Sequence, residues 1–127
     1  MAYESNALAS RNGCQIEEII RTLYPGAQYD YRGIIDLHIN GQPVEIKSCQ
    51  AHVTDQSHGT GTRSGRFVFS AEQHQTLIEN QGEYILVVHK DGTPFLYFRV
   101  PASALDLPDF TGIKSVCWKS AIQAAIA

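Results

Sequence analysis

Asp36, Glu45 and Lys47 are residues of this 127-residue chain whose types and spacing could do chemistry together. Between the two acids lies Asn40-Gly41, a strong two-residue turn signal, because a type I′ turn needs φ > 0 at both central positions. With that turn as the loop, 33–48 reads as a β-hairpin in a fixed register. Ile39 faces Gln42, Leu37 faces Val44, Asp36 faces Glu45 and Ile34 faces Lys47. Alternation along the strands puts Ile35, Leu37, Ile39, Val44 and Ile46 on one face and Asp36, Glu45 and Lys47 on the other. Counted out from the turn, Asp36 and Glu45 form a non-hydrogen-bonded pair, with Cβ atoms roughly 4.5–5.5 Å apart. Two carboxylates at about 5 Å repel by about 3 kcal/mol at an effective dielectric near 20. A divalent cation between the oxygens turns that repulsion into ligation. Mg2+ suits such a place, since it takes one or two carboxylates and completes its shell with water and phosphate. Lys47 adds a positive charge beside it.

The hairpin carrying Asp36 and Glu45-Ile46-Lys47 resembles the catalytic core of the PD-(D/E)XK nuclease superfamily. Ile35 stands where that family often has proline. The resemblance implies a restriction-endonuclease-like fold, an α/β architecture with a mixed central β-sheet flanked by helices around an αβββαβ core. It implies a metal-dependent DNA endonuclease using Mg2+ or Mn2+. Asp36, Glu45 and the Ile46 carbonyl would hold the metal, and Lys47 would orient the attacking water. The start of the chain is similar to archaeal Holliday junction resolvases, which carry a glutamate four residues after a small residue near the start of their first helix; Gly13-Cys14-Gln15-Ile16-Glu17 has that form. This likeness implies that Glu17 is a third acidic member of the site and that the enzyme is Holliday junction resolvase-like; a restriction-type or repair nuclease fits nearly as well, and the expected partner is branched or duplex DNA. The alternative is a non-catalytic nucleic-acid-binding or protein-interaction domain that keeps the same fold.

The elements that must position these residues can be read around the hairpin. Ile16, Ile19, Ile20 and Leu23 recur at helical spacing, predicting a helix over 11–24 that Pro25-Gly26 ends. Glu17 falls at the border of that apolar stripe. Residues 28–31 read as a strand, and Arg32 leads into the hairpin as a candidate phosphate contact. From Ala51 to Gly65 nothing is periodic; a polar, glycine-rich loop of this length is expected to be functional or disordered. Arg63 and Arg66, in or beside it, are the most basic patch and candidate nucleic-acid contacts. Residues 66–69 read as a strand. Ser70-Ala71-Glu72-Gln73 is a capping box for a helix running to Asn80. Tyr84 to His89 is a continuous apolar run, expected as a central strand covered on both faces. A turn at 90–93 leads to a partner strand at 95–100. A short helix is expected near 101–107, an extended segment at 113–118 and a helical end at 120–127.

Composition bounds these readings. The length predicts a single nuclease-like domain over 1–127. The net charge of −3 counts against a broad basic grip on nucleic acid, though not against an acidic, metal-filled site. No apolar run reaches the length of a membrane span, and the N-terminus shows no signal-like block, so the expected address is cytoplasmic. Cys14, Cys49 and Cys117 are odd in number and widely spaced, as reduced thiols are. The apolar tail, with Ile122 and Ile126, is a candidate contact for a homodimer.

Overall fold

The hairpin forms as its sequence demands. Strand β2 (Leu37–Ile39) pairs antiparallel with β3 (Gln42–Gln50), with Ile39 opposite Gln42 and Leu37 opposite Val44. Asn40 and Gly41 take φ of 51° and 83°, the left-handed pair that a type I′ turn requires. The computed structural model describes residues 16–30, 32–54, 61–90 and 93–126. Gly13, Cys14 and the first residues of the expected helix lie outside them, as do 55–60, Tyr31, and Asp91 and Gly92 of the expected turn.

Around the hairpin the sheet runs in the order β1-β2-β3-β7-β8, with β1 at Ala27–Tyr29, β7 at Glu83–Lys90 and β8 at Thr93–Pro101. β3 and β7 are parallel and the other neighbours antiparallel. A parallel pair needs a long crossover, and 51–82 supplies it. Helix α1 is described over 16–23, and α2 spans Ala71–Glu79. Two-stranded sheets are formed by β4 (His52–Thr54) with β5 (Thr62–Ser64), and by β6 (Arg66–Ser70) with β9 (Ile113–Cys117). Helix α3, Trp118–Ile126, follows. The central place of β7 explains its apolar run: Tyr84 to His89 are all buried. Ile85 and Val87 pack on the α1 side with Ile16, Ile20, Leu37, Ile39 and Val44. Tyr84, Leu86 and Val88 pack on the other side with Phe67, Phe69 and Leu77. Ile20 and Leu77 are fully buried, and such a side chain contributes about 1.5–3 kcal/mol.

The capping reading of α2 holds at its first contact. The Ser70 side chain accepts from the Gln73 amide at 3.3 Å, satisfying one orphan donor of the first turn. At the other end Gln81 takes the left-handed conformation, φ 55°, and the Gly82 amide donates to the Leu77 carbonyl at 2.7 Å. A Cβ on Gly82 would sit 2.8 Å from the Pro43 carbonyl oxygen, so glycine lets α2 turn back under the hairpin.

The structure corrects four readings. The β2–β3 ladder stops at Leu37 opposite Val44, so Asp36 opposite Glu45 and Ile34 opposite Lys47 are not ladder pairs. Beyond that point Asp36 stays with β1: the Asp30 amide donates to the Asp36 carbonyl at 2.7 Å, in register with the β1–β2 ladder. Ile35 therefore packs with the α2-side core instead of with Leu37 and Ile39. Second, the aperiodic 51–65 stretch is paired at both ends as β4 and β5. Short polar strands that face solvent give no hydrophobic alternation to read. Third, Ile19 and Leu23 of the α1 stripe are 38% and 55% exposed; the sheet covers one edge of that stripe, not its whole width. Fourth, the expected helix over 101–107 is a single 3-10 turn, Ala102–Ala104.

Candidate active site

Beyond Val44 the departure of β2 leaves the edge of β3 open, and the fork between the two strands is a cavity of about 220 Å³. Glu17, Asp36, Glu45 and Ile46 line it, with Ile16, Tyr29, Leu37 and Ser48. Four of the residues singled out by the sequence thus meet at one place. Glu17 comes from α1, Asp36 from the segment entering β2, and Glu45 and Ile46 from β3. Hairpin register explains the last three, since Asp36 and Glu45 stand one step beyond the closing Leu37–Val44 pair.

Lys47 does not line the cavity but stands next to it, with Nζ 3.5 Å from Glu45 Oε2. Both side chains are largely covered, 16% and 13% exposed. Burial pushes the Glu45 carboxyl above its ordinary range; Lys47 pulls it back, and the charge of Asp36 pushes it further up. The charge of Asp36 thus bears on Glu45 although the two share no ladder rung. Glu45 is also opposite Tyr84 on the parallel strand β7. Burial first, and the Glu45 charge second, raise the Tyr84 phenol well above its usual value. The Tyr84 hydroxyl lies 2.9 Å from His74 Nδ1 on α2.

Among the described residues no group of three or more His, Cys, Asp or Glu side chains is close enough to share one metal ion. Glu17 lines the same cavity without completing such a cluster. The donors that remain are two carboxylates, a β3 carbonyl and solvent. They fit Mg2+ or Mn2+, hard cations that accept one or two protein carboxylates and fill the rest of the shell with water and phosphate. An acid held above its usual pKa by burial and by a second acid is also a group that a cation would relieve.

The three arginines are not gathered at the fork. Arg32 is exposed and paired with Asp30, Nε to Oδ1 at 2.9 Å and Nη2 to Oδ2 at 3.1 Å. It borders a separate groove with Arg21, Tyr29 and His38, and Tyr29 is common to that groove and the acidic cavity. Arg63 lies on β5 and donates to the Ser64 carbonyl at 3.2 Å. Arg66 lies on β6, in a different sheet, and donates to the Ser115 carbonyl at 3.4 Å. They stand on two successive strands joined by Gly65. Gln73 is the residue that sequence reasoning passed over as part of a cap. Its side chain accepts from Lys47 Nζ at 3.0 Å. The one available signal was its place in the first turn of the helix that returns to β3.

A mixed five-stranded sheet flanked by helices, with acids at the fork of its hairpin, defines the restriction-endonuclease-like class of α/β fold. The profile of the PD-(D/E)XK nuclease superfamily domain matches residues 3–106. The chain belongs to that superfamily. It matches no curated protein.

Proposed function

We propose that the chain is a divalent-metal-dependent endodeoxyribonuclease that hydrolyses phosphodiester bonds at the β2–β3 fork. The observation that carries the reading is the convergence of Asp36 and Glu45 on one cavity, with Lys47 3.5 Å from Glu45. Asp36, Glu45 and the Ile46 carbonyl hold Mg2+ or Mn2+, and Glu17 orders water at the rim. When bound, the cation would supply positive charge to the phosphate and lower the pKa of a bound water, so that the water gives its proton to solvent and attacks as hydroxide. Lys47 donates to the attacking water and to the phosphoryl oxygens on which charge develops. Glu45 holds Lys47 beside the cavity at 3.5 Å, and Ile16 and Leu37 supply its apolar walls.

Arg32, Arg63 and Arg66 contact DNA phosphates outside the fork, with Arg32 exchanging Asp30 for a phosphate. The candidate substrates are four-way junctions, on the sequence likeness around Glu17 to Holliday junction resolvases, and duplex DNA, as a restriction-type or repair nuclease would cut. A homodimer would present two such sites to two strands, in a single-domain, cytoplasmic protein; no helix among the described residues is long and apolar enough to cross a membrane.

The test is cleavage of four-way junction, duplex and single-stranded DNA with Mg2+, Mn2+ or EDTA. Asp36→Ala and Glu45→Ala should abolish metal-dependent cutting while DNA binding survives. Lys47→Ala should stop cutting and leave metal binding measurable. Full activity in any of the three sinks the assignment. Binding without cutting by the wild type would reassign the chain as a nucleic-acid-binding module.

A further inference from the structure

We propose that Gln73 is a positioning residue for this site, whose amide clamps Lys47 and the segment entering Asp36 against each other. The inference rests on the nuclease reading above. Gln73 Oε1 accepts from Lys47 Nζ at 3.0 Å, and Gln73 Nε2 donates to the Ile34 carbonyl at 3.4 Å. Ile34 is two residues before Asp36. One side chain from α2 therefore reaches both arms of the fork, although no ladder pair joins the arms beyond Leu37 among the described residues. The amide works in one orientation alone. Turned over, its NH2 would face an ammonium and its oxygen a carbonyl, so the two partners together fix it.

The base of the clamp is rigid. The Gln73 amide nitrogen is capped by Ser70, and Leu77, one turn further along α2, is fully buried. What the clamp does follows from the charges. Lys47 has three N–H donors. One is directed at Gln73, and the nearest counter-charge is Glu45 at 3.5 Å. With Gln73 in place, a neutral acceptor shares the ammonium. Without it, Lys47 swings fully onto Glu45 and occupies a carboxylate that the metal needs. The entry to Asp36 also loses its only side-chain tie to α2 among the described residues. Gln73 thus acts through Lys47 and Asp36 and touches no reacting atom.

Gln73→Met keeps the volume and removes both hydrogen bonds. Gln73→Asn keeps the amide one methylene short. Each should fold, and each should lower the single-turnover cleavage rate about 10–100-fold, the cost of misplacing a catalytic group by about 1 Å. The Kd for DNA should stay within twofold, and the Mn2+ concentration for half-maximal rate should rise. A residue of merely structural value would move the melting temperature and not this split. A second readout needs no activity: a urea-unfolding cycle of Lys47→Met, Gln73→Met and the double variant. Direct contact predicts coupling of at least about twofold in the unfolding constant. A wild-type cleavage rate in Gln73→Met, or strict additivity in the urea cycle, overturns the clamp. If the wild type cuts no DNA, the nuclease reading is lost, and the urea cycle then decides the clamp alone, coupling upholding it and additivity refuting it.

Discussion

Replacing Asp36 by asparagine isolates the repulsion on which the metal site depends. Asp36 and Glu45 lie beyond the last ladder pair but line the same cavity, so the ladder spacing of roughly 5 Å is the near limit of their separation. At that limit and an effective dielectric near 20 the repulsion is at most about 3 kcal/mol, and the splay and the water in the open fork reduce it to about 1 kcal/mol. The attraction of Lys47 for Glu45 at 3.5 Å comes to about 5 kcal/mol on the same footing. That ordering agrees with the stronger pull of Lys47 than push of Asp36 on the Glu45 carboxyl. Asp36→Asn removes the repulsion and leaves the lysine pair alone, whereas Glu45→Gln would destroy both. In EDTA at pH 7 the asparagine variant should melt higher by about 3–5 °C, the effect of about 1 kcal/mol on a domain of this size.

The pH dependence follows from the raised Glu45 carboxyl. The folded protein holds that proton more tightly than the unfolded chain does. The stability it contributes is complete below the ordinary value of 4.5 and is lost as pH rises through the folded value. The advantage of Asp36→Asn should therefore open as pH rises through the raised folded value and be absent below pH 4.5, where Glu45 is protonated and there is nothing to repel. Metal should reverse the order: at a hundred times its Kd a cation stabilises the wild type by about 2.7 kcal/mol, and the variant by much less. Calorimetric melting of both proteins, with and without Mn2+, across pH 4–8 measures all of this. A variant that melts lower in EDTA, with a metal response equal to wild type, would mean that the two carboxylates share no site.

Three further outcomes are expected. Arg63→Ala combined with Arg66→Ala should weaken DNA binding about equally across sequences and reduce the salt slope by up to about one unit for each lost phosphate contact; an unchanged slope in a fluorescence titration would return β5 and β6 to a structural role. Burial holds His74 below its ordinary pKa of 6.5, so its contribution to stability is full above pH 6.5 and is lost as pH falls through the folded value; urea midpoints should show wild type losing ground to His74→Gln below about pH 6.5, and a gap constant from pH 5 to 8 would contradict it. A homodimer should appear in light scattering at high concentration, and a strict monomer would refute it. The exposed Ile126, 67% accessible beside the buried Ile122, is the first position to replace with a charge.

What the sequence determined by itself was whatever local rules dictate. Asn40-Gly41 set the turn, and the turn set the register that brings Asp36 and Glu45 within reach. Ser70 marked the start of α2, and the unbroken apolar run from Tyr84 marked the strand buried on both faces. The superfamily was legible for the same reason, because its signature lies on one hairpin. Tertiary structure decided the rest. The hairpin splays after Leu37, with Asp36 kept on β1 by the hydrogen bond from Asp30, a pairing outside the hairpin that its turn does not encode. That splay opens the fork, sends Ile35 to the opposite core and gives Glu17 access from a separate helix. The partnership of Lys47 with Gln73 spans 26 residues, and it exists because β7 pairs parallel to β3 and so returns α2 across the sheet beside the lysine. Local propensity chose the strands and turns, and long-range packing chose which polar side chains face one another.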